Sequence, residues 1–258
     1  MYMKLILVGA LLTLSSPLFA AEQQKPIAEL YGEKITVDML GLPREWVEEQ
    51  RKTMSEAQFE KWLAEGRKSQ LAYGIMQEAQ KHLLKELNQE PTDQEIDSYL
   101  AFMKRTDRKM QKENQQQIRK LEQALADPKL DPKKKSEMES TISFLREAGS
   151  RPEKKKTDEE RRVDRAVAEQ MVRQWKFYRT LYHKYGGRVV AQQVGYEPVD
   201  AIKAFIEEMK KNGDYRILDP AYEGVFQETF DYVASPNHDF VDKAEADKYF
   251  AAPWWVGE

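Results

Sequence analysis

EAQKHLLKELNQEPTDQEIDSYL, residues 78–100, contains the clearest structural signal in the chain. Its first half has apolar residues at helical spacing and runs into Pro91, which disfavours the α conformation at Glu90. Its second half opens with TDQE, a capping box in which Thr92 and Glu95 satisfy exposed N–H groups of a new helix. Because the connection is so short, the stretch predicts two helices that pack against each other.

Helix signals continue on both sides of this stretch. Capping boxes at SEAQ, which begins at Ser55, and TDEE, which begins at Thr157, predict helices over about 55–87 and 157–185. The chain is 33% charged, a composition that favours long, exposed helices. We therefore predict a mainly α fold, consisting of an elongated antiparallel helical module with a short N-terminal strand and a small C-terminal helical region.

The middle of the chain predicts a projecting helical hairpin. The helix from Thr92 extends to about residue 126, and Asp131 before a proline predicts a return helix over 132–148. Beyond Met103 the apolar side of the first helix becomes sparse, so little of it can be buried. The predicted arm, residues 104–165, holds 19 basic and 13 acidic residues. It is either a solvated helical surface or an electrostatic contact with an anionic partner or with the acidic C-terminal region.

Residues 190–258 form a C-terminal region with 14 acidic and 6 basic residues. The pattern predicts a short strand at Val189–Ala191, a helix from Pro198 to Lys211 and a further helix that starts at Asp219. A further strand and turn are predicted over 27–37. From these strand signals we expect no more than a short two-stranded element in the whole fold. Two adjacent tryptophans near the end of the region either dock on the body or anchor a partner, because large aromatic side chains are rarely left in water.

The first twenty residues have the pattern of a secretory signal peptide. Lys4 supplies a positive charge, Leu5–Leu14 is an apolar run too short for a membrane span, and small residues predict cleavage after Ala20. No later run is apolar enough to span a bilayer, and cysteine is absent. We therefore expect a protein exported to the periplasm. Its net charge of −3 and the lack of a recognition motif argue against nucleic acid as a partner.

Two pieces of sequence resemble the helical chaperone module of SurA-type periplasmic chaperones and related parvulin-family foldases. The first is AELYGEKIT at 28–36, which is similar to the strand and turn that open such modules. The second is similar to a helix–turn–helix pattern of these modules and consists of Glu78, Ala79, Lys81, Leu84, Thr92, Asp93, Glu95, Ile96, Asp97 and Leu100. The resemblance covers residues 27–105, more loosely 157–185, and none of 186–258.

This resemblance implies a chaperone module over residues 21–189, with the arm as an insertion, after a signal peptide over 1–20 and before the region 190–258. The family often carries an isomerase domain, but no parvulin-type histidine strand or Gly-rich turn is present here. Isomerase activity is therefore not implied, and whether the chain is an enzyme stays open. We expect a non-catalytic, chaperone-like protein that binds unfolded or extended envelope polypeptides, outer-membrane proteins among them.

Aromatic and methionine side chains on neighbouring helices are the candidates for such binding. Rigid rings and adaptable thioethers form surfaces that fit many apolar segments, although the same residues could all be ordinary core. Phe102 and Phe177 fall off the main apolar stripes of their helices, so we expect part of this surface to be exposed. The candidates are Trp46, Trp62, Tyr73, Met76, Tyr99, Phe102, Met103, Trp175, Phe177, Tyr178 and Tyr182.

Two other classes of function stay open. A structural or adaptor subunit could bind one folded envelope partner through the arm. An enzyme could use the segment Gly186–Gly195 with His183, although a helix stop followed by a short strand accounts for the same residues. His82 and His238 have no metal-ligand or catalytic spacing either, and neither a cofactor nor a metal site is predicted. The sequence indicates no oligomeric state.

Overall fold

The computed structural model describes residues 25–128, 130–149, 157–193, 195–234 and 239–256. The protein is 71% helical, with eight α-helices in these residues and a few short antiparallel strands. The predicted mainly α fold is therefore confirmed. The predicted signal peptide and His238 lie outside the described residues.

The four longest helices, α2 to α5, begin and end within a few residues of their predicted positions. A 3₁₀ turn at Pro220–Tyr222 replaces the start of a helix that the sequence predicts from Asp219, and the last helix has no counterpart among the predictions. The helices are α1 (Arg44–Thr53), α2 (Glu56–Glu86), α3 (Asp93–Leu125), α4 (Pro132–Gly149), α5 (Asp158–Tyr185), α6 (Val199–Asn212), α7 (Gln227–Ala234) and α8 (Lys243–Ala251).

In the part of the chain that the structure describes, short strands form two three-stranded antiparallel sheets, with the orders β2-β1-β5 and β4-β3-β6. The expectation of no more than a two-stranded element is therefore wrong. The partners of β1 and β3 include segments distant in sequence, and pairing of this kind leaves no local pattern to detect. The strands are β1 (Pro26–Leu30), β2 (Glu33–Thr36), β3 (Val189–Gln192), β4 (Gly195–Glu197), β5 (Tyr215–Ile217) and β6 (Phe240–Val241).

The chain divides into two compact units. The first contains the described residues up to Asn88 together with Phe177–Asp247, and the second contains Gln89–Lys176 together with the residues from Lys248. The predicted start of a separate region at residue 190 does not coincide with this division. The reason is that β5 pairs with β1, and α6 contributes to the same apolar core as α2. Each unit is therefore built from segments that are distant in sequence.

The core of the first unit combines the first sheet with α2, the last part of α5, and α6. The β1–β2 hairpin turns at Gly32, where φ is +83°. Ile27, Ala28 and Leu30 of β1 are buried, and the two consecutive buried residues lie where the register of the β1–β2 pair is irregular. Among the side chains of this core are Ile27, Leu71, Ile75, Leu84, Phe177, Leu181, Phe205 and Ile206.

The second unit has a smaller apolar core formed by α3, α5 and the segment that follows α8. Its aromatic share is high, since the buried rings of Tyr99, Trp175 and Trp255 lie within one cluster. Ile96 on α3 and Val172 on α5 complete the contact between the two helices. The helix that begins at the predicted capping box therefore buries its first turns, as its dense apolar stripe predicts.

The capping box at the start of α3 forms as predicted. Glu95 accepts a hydrogen bond from the backbone N–H of Thr92 at 2.8 Å, and the Thr92 hydroxyl accepts one from the N–H of Glu95 at 3.3 Å. Lys176 of α5 donates to both Glu95 oxygens at 2.8 Å and to the Glu90 carbonyl at 3.1 Å. Burial raises the pKa of Glu95, but the hydrogen bonds from Lys176 and Thr92 outweigh it, and the net shift is downward.

Replacing Glu95 by Gln is therefore expected to lower the free energy of unfolding by about 1–2 kcal/mol at pH 7. Because the folded-state pKa lies below the unfolded one, the contribution is complete above the unfolded pKa of about 4.3 and is lost as the pH falls through the folded value. Chemical denaturation of both proteins from pH 7 to pH 3 measures this difference. The exposed Glu113→Gln on the same helix is the control. A difference that stays constant down to pH 3 would contradict the assignment.

Helices α3 and α4 form the predicted hairpin. Beyond Met103, none of the described residues of α3 is fully buried. The return helix α4 buries Ile142 and Leu145, and Arg146 donates to Glu122 of α3 at 2.5 Å. The outer part of α3 is thus stabilised mainly by pairing with α4, as its sparse apolar stripe indicates.

Deleting Lys109–Lys156 and joining the ends with a short Gly linker is expected to leave a folded protein. The deletion removes the outer hairpin but none of the side chains of the apolar cores around Phe177 and Trp175. Circular dichroism and thermal melting of the deletion variant measure the outcome. We expect a cooperative transition within a few degrees of the full-length protein. Loss of that transition would mean that the hairpin belongs to the core.

Candidate functional site

A pair of tryptophans, Trp46 exposed and Trp62 partly buried, lies on the first unit. Trp46 of α1 is 45% exposed, and its ring meets that of Trp62 on α2 edge-on, with the ring centres 4.9 Å apart. The buried ring of Phe59 lies 5.9 Å from that of Trp62, and the Arg51 guanidinium lies 4.6 Å above the centre of the Phe59 ring. We call these four residues the Trp46–Trp62 patch. Its edge-to-face and cation–π contacts hold the rings in defined positions.

The local sequence explains why the Trp46–Trp62 patch stays on the surface. Helix α1 begins after Pro43, ends shortly before the capping box at Ser55, and contains no fully buried residue. Leu42 packs beside Gly66, where an added Cβ would lie 3.7 Å from its side chain. Because the core takes up none of the α1 side chains fully, Trp46 remains accessible to a partner. Exposed apolar surface of this kind is typical of a binding site.

The other candidates of the first unit are mostly not accessible. Tyr73 is 53% exposed, whereas Met76 and Tyr178 are partly buried against the core. Phe177 and Tyr182 are only 2% and 7% exposed, so the prediction that Phe177 contributes to an exposed surface is wrong. The division between the two units falls within α5 just before Phe177. The residues buried along α5 therefore do not follow one stripe.

The four candidates of the second unit pack around the adjacent tryptophans at 254 and 255. Tyr99 and Trp175 are buried, and Phe102 and Met103 are partly buried. Trp255 itself is only 1% exposed, so the tryptophan pair docks on the body, which was the first of its two predicted roles. With this pair in place, the four candidates form an internal cluster and not an open surface. The candidate site is thus divided between an exposed patch and an occupied one.

A half-buried carboxylate in the first unit has no counterpart in the predictions. Burial raises the pKa of Glu197 on β4, while hydrogen bonds from Gln192 at 3.2 Å and Tyr178 at 3.5 Å act in the opposite direction. Tyr182 on α5 donates to Asp247 at 2.7 Å. Isolated polar residues of this kind give no spacing motif in the sequence. Their contacts join the β3–β4 hairpin and α8 to α5, which is a structural role.

The described residues between Gly186 and Gly195 also have structural roles. Gly186 and Gly187 end α5 with positive φ angles, and β3 and β4 follow. Arg188 donates three hydrogen bonds of 2.8 Å to Asp200, one from its backbone N–H and two from its guanidinium. These contacts explain the polar residues as part of a helix stop and a hairpin. The enzyme alternative therefore gains no support from this segment.

The described histidines take ordinary positions. His82 stacks on Tyr31 with the ring centres 3.9 Å apart, and His183 is exposed on the last turn of α5. Burial, together with the charges of Asp214 and Glu86, raises the pKa of Tyr31 to about 12. Within the described ranges, no three His, Cys, Asp or Glu side chains lie close enough together to hold a metal ion.

Over the part of the chain that the structure covers, no helix combines the length and the apolar character needed to pass through a membrane. No protein-family model matches the chain, and no curated protein or solved structure matches it either. The function is therefore inferred from the surfaces that the two units present.

Proposed function

We propose that this is an exported, periplasmic, chaperone-like protein that binds unfolded or extended envelope polypeptides without catalysis. The observation that carries the proposal is the exposed Trp46–Trp62 patch. Contact with an aromatic ring needs no specific hydrogen-bond pattern, so such a patch accepts apolar segments of many sequences. The signal-peptide pattern and the resemblance to SurA-type chaperones support the same compartment and class of function.

The composition of the patch favours weak and exchangeable binding. Two rings cover a small area, and small contacts give modest affinity after the entropy cost of association. The Arg51 guanidinium lies over the Phe59 ring, and α1 also carries the exposed Arg44–Glu48 ion pair at 2.8 Å, so the helix bears charges of both signs. A surface of mixed charge excludes neither basic nor acidic clients. These properties suit a protein that must release its clients for folding.

The proposal predicts that the protein suppresses aggregation of an unfolded outer-membrane protein, and that Trp46→Ser removes most of this effect. Because α1 has no fully buried residue, the substitution should change the thermal midpoint by only a few degrees. Light scattering during dilution of the client from denaturant measures suppression. Leu218→Ser, at an exposed apolar residue of the same unit that is outside the patch and not among the binding candidates, is the matched control and should behave like the unchanged protein. No suppression by the unchanged protein at several-fold excess would contradict the proposal.

A second candidate function is a structural or adaptor subunit that binds one folded envelope partner. It is favoured by large apolar side chains exposed on the helices of the second unit, which are Met110, Phe144, Val163 and Val167. Phe144 on α4 is 70% exposed, more than any other large apolar residue among the described ones. Pull-down from envelope extract separates the candidates. A single stoichiometric partner that is lost in Phe144→Ser supports the adaptor, and many substoichiometric clients support the chaperone.

A further inference from the structure

Within the second unit, the segment after α8 packs on an aromatic surface of α3 and α5. The ring of Trp255 meets those of Tyr99 and Trp175 edge-on, each with ring centres 5.3 Å apart. The ring of Trp254 meets Phe102 edge-on at 4.9 Å and Tyr99 at 6.2 Å. The two tryptophans therefore occupy neighbouring positions on one aromatic surface, which α3 and α5 supply. We call the position that each ring occupies its seat.

The polar contact of this segment does not depend on its side chains. Arg105 of α3 donates from its guanidinium to the backbone carbonyl of Trp255 at 3.1 Å. Every residue of a polypeptide carries such a carbonyl, whatever its side chain. The same arginine can therefore hold another polypeptide segment that places a large apolar side chain in the seat of Trp255.

Trp255 fits its seat imperfectly. Its indole Nε1 is buried and makes no hydrogen bond to any described residue. A buried donor without an acceptor loses its interaction with water and gains nothing in return. A side chain of the same shape without the N–H would fit the seat better. The segment is thus an occupant that a competing segment can replace.

We propose that the surface of α3 and α5 around Tyr99, Phe102 and Trp175 is a binding site for a short polypeptide turn with adjacent aromatic residues, and that Pro253–Val256, a turn closed by the hydrogen bond from the Val256 N–H to the Pro253 carbonyl at 3.1 Å, is its intramolecular occupant. A client segment enters by exchange with Pro253–Val256. If Pro253–Val256 dissociated without a replacement, the seat would be empty and the apolar cluster of the second unit would be exposed. Binding of a client is therefore coupled to release of Pro253–Val256. The site is distinct from the Trp46–Trp62 patch and does not depend on it.

The experiment uses the full chain with a fluorescent label at Val256→Cys. Val256 is 61% exposed and the sequence contains no cysteine, so the label is unique and disturbs no buried contact. The probes are three capped peptides: Ala-Pro-Trp-Trp-Val, the same peptide with benzothienylalanine in place of the second tryptophan, and Ala-Pro-Ser-Ser-Val. Benzothienylalanine keeps the shape of tryptophan but has sulfur where the indole N–H stands. Fluorescence anisotropy of the label reports release of the segment, and far-UV circular dichroism reports folding.

We expect a saturable fall in anisotropy with both aromatic peptides at constant helix content, and no change with the serine peptide. The benzothienyl peptide should reach half-saturation at a concentration at least about fivefold below that of the tryptophan peptide, because it brings no unpaired donor into the seat. Three results would overturn the inference. They are no change in anisotropy at millimolar aromatic peptide, a change only together with loss of helix, and an equal effect of the serine peptide.

The same titration in a Trp46→Ser background separates this inference from the proposed function. Exchange at the second unit should be unchanged, since the substitution lies in the first unit. If a labelled aromatic peptide binds the protein while the label at Val256→Cys does not respond, the exchange site is excluded. In that case the Trp46–Trp62 patch can still account for binding. If exchange occurs but aggregation is not suppressed, the proposed function fails and the site remains.

Discussion

Replacing Trp255 by alanine is expected to lower the free energy of unfolding of the second unit by about 3–5 kcal/mol, the usual cost of removing a fully buried Trp ring. Trp255 is 1% exposed and contacts Tyr99 and Trp175 within the apolar cluster that joins α3 to α5. The unit has a small core, so a cavity of this size affects a large share of its buried contacts. Denaturant-induced unfolding followed by circular dichroism measures the loss.

The neighbouring Trp254 provides the matched control for this substitution. It is only partly buried, so Trp254→Ala should cost clearly less than Trp255→Ala. Equal and small effects of both substitutions would show that the segment contributes little to the stability of the unit. An excess of the capped Ala-Pro-Trp-Trp-Val peptide should restore part of the stability lost in Trp255→Ala, because a ligand that binds only the folded state stabilises it.

Replacing Gly187 by alanine should destabilise the first unit by about 3 kcal/mol, through backbone strain and overpacking together. Gly187 has φ +92°, a conformation that residues with a Cβ rarely adopt. A Cβ at this position would also lie only 2.5 Å from the Cβ of Asp200. Asp200 cannot move away without breaking its hydrogen bonds to Arg188. Thermal and denaturant unfolding of the full-length variant measure the effect.

Gly186→Ala separates the two causes. Gly186 has φ +65°, but nothing lies within 4 Å of the position where its Cβ would stand. The substitution should therefore cost only the left-handed strain, about 1 kcal/mol. Equal effects at the two glycines would mean that the close approach of Asp200 does not constrain Gly187.

The parts of the fold that local signals determine follow from the sequence. The TDQE capping box fixes the start of α3, and the glycine pair after Tyr185 fixes the end of α5, because each acts through backbone groups within a few residues. The hairpin of α3 and α4 likewise follows from a proline and a sparse apolar stripe. The pairing of β5 with β1 does not follow, because it depends on segments distant in sequence.

The candidate site is predicted only in part, for a physical reason. Aromatic residues at helical spacing show which side chains avoid water, but they do not show what covers them. Trp46 is left exposed because α1 adds nothing fully buried to the core, and Phe177 is covered because α5 passes from one unit to the other. The seats of Trp254 and Trp255 depend on the packing of three distant segments. Accessibility is a property of the packed units and not of any single helix.

The most direct test of the central claim is photo-crosslinking beside the Trp46–Trp62 patch. Glu49 is exposed one helical turn after Trp46, and Lys211 is exposed on α6 of the same unit. A benzophenone attached at Glu49→Cys or Lys211→Cys is irradiated with an unfolded outer-membrane polypeptide, and the crosslinked fraction is measured. The account predicts several-fold more product from position 49 than from position 211, and loss of this excess when Trp46→Ser is added. Equal yields at both positions, or an excess that Trp46→Ser leaves unchanged, would contradict it.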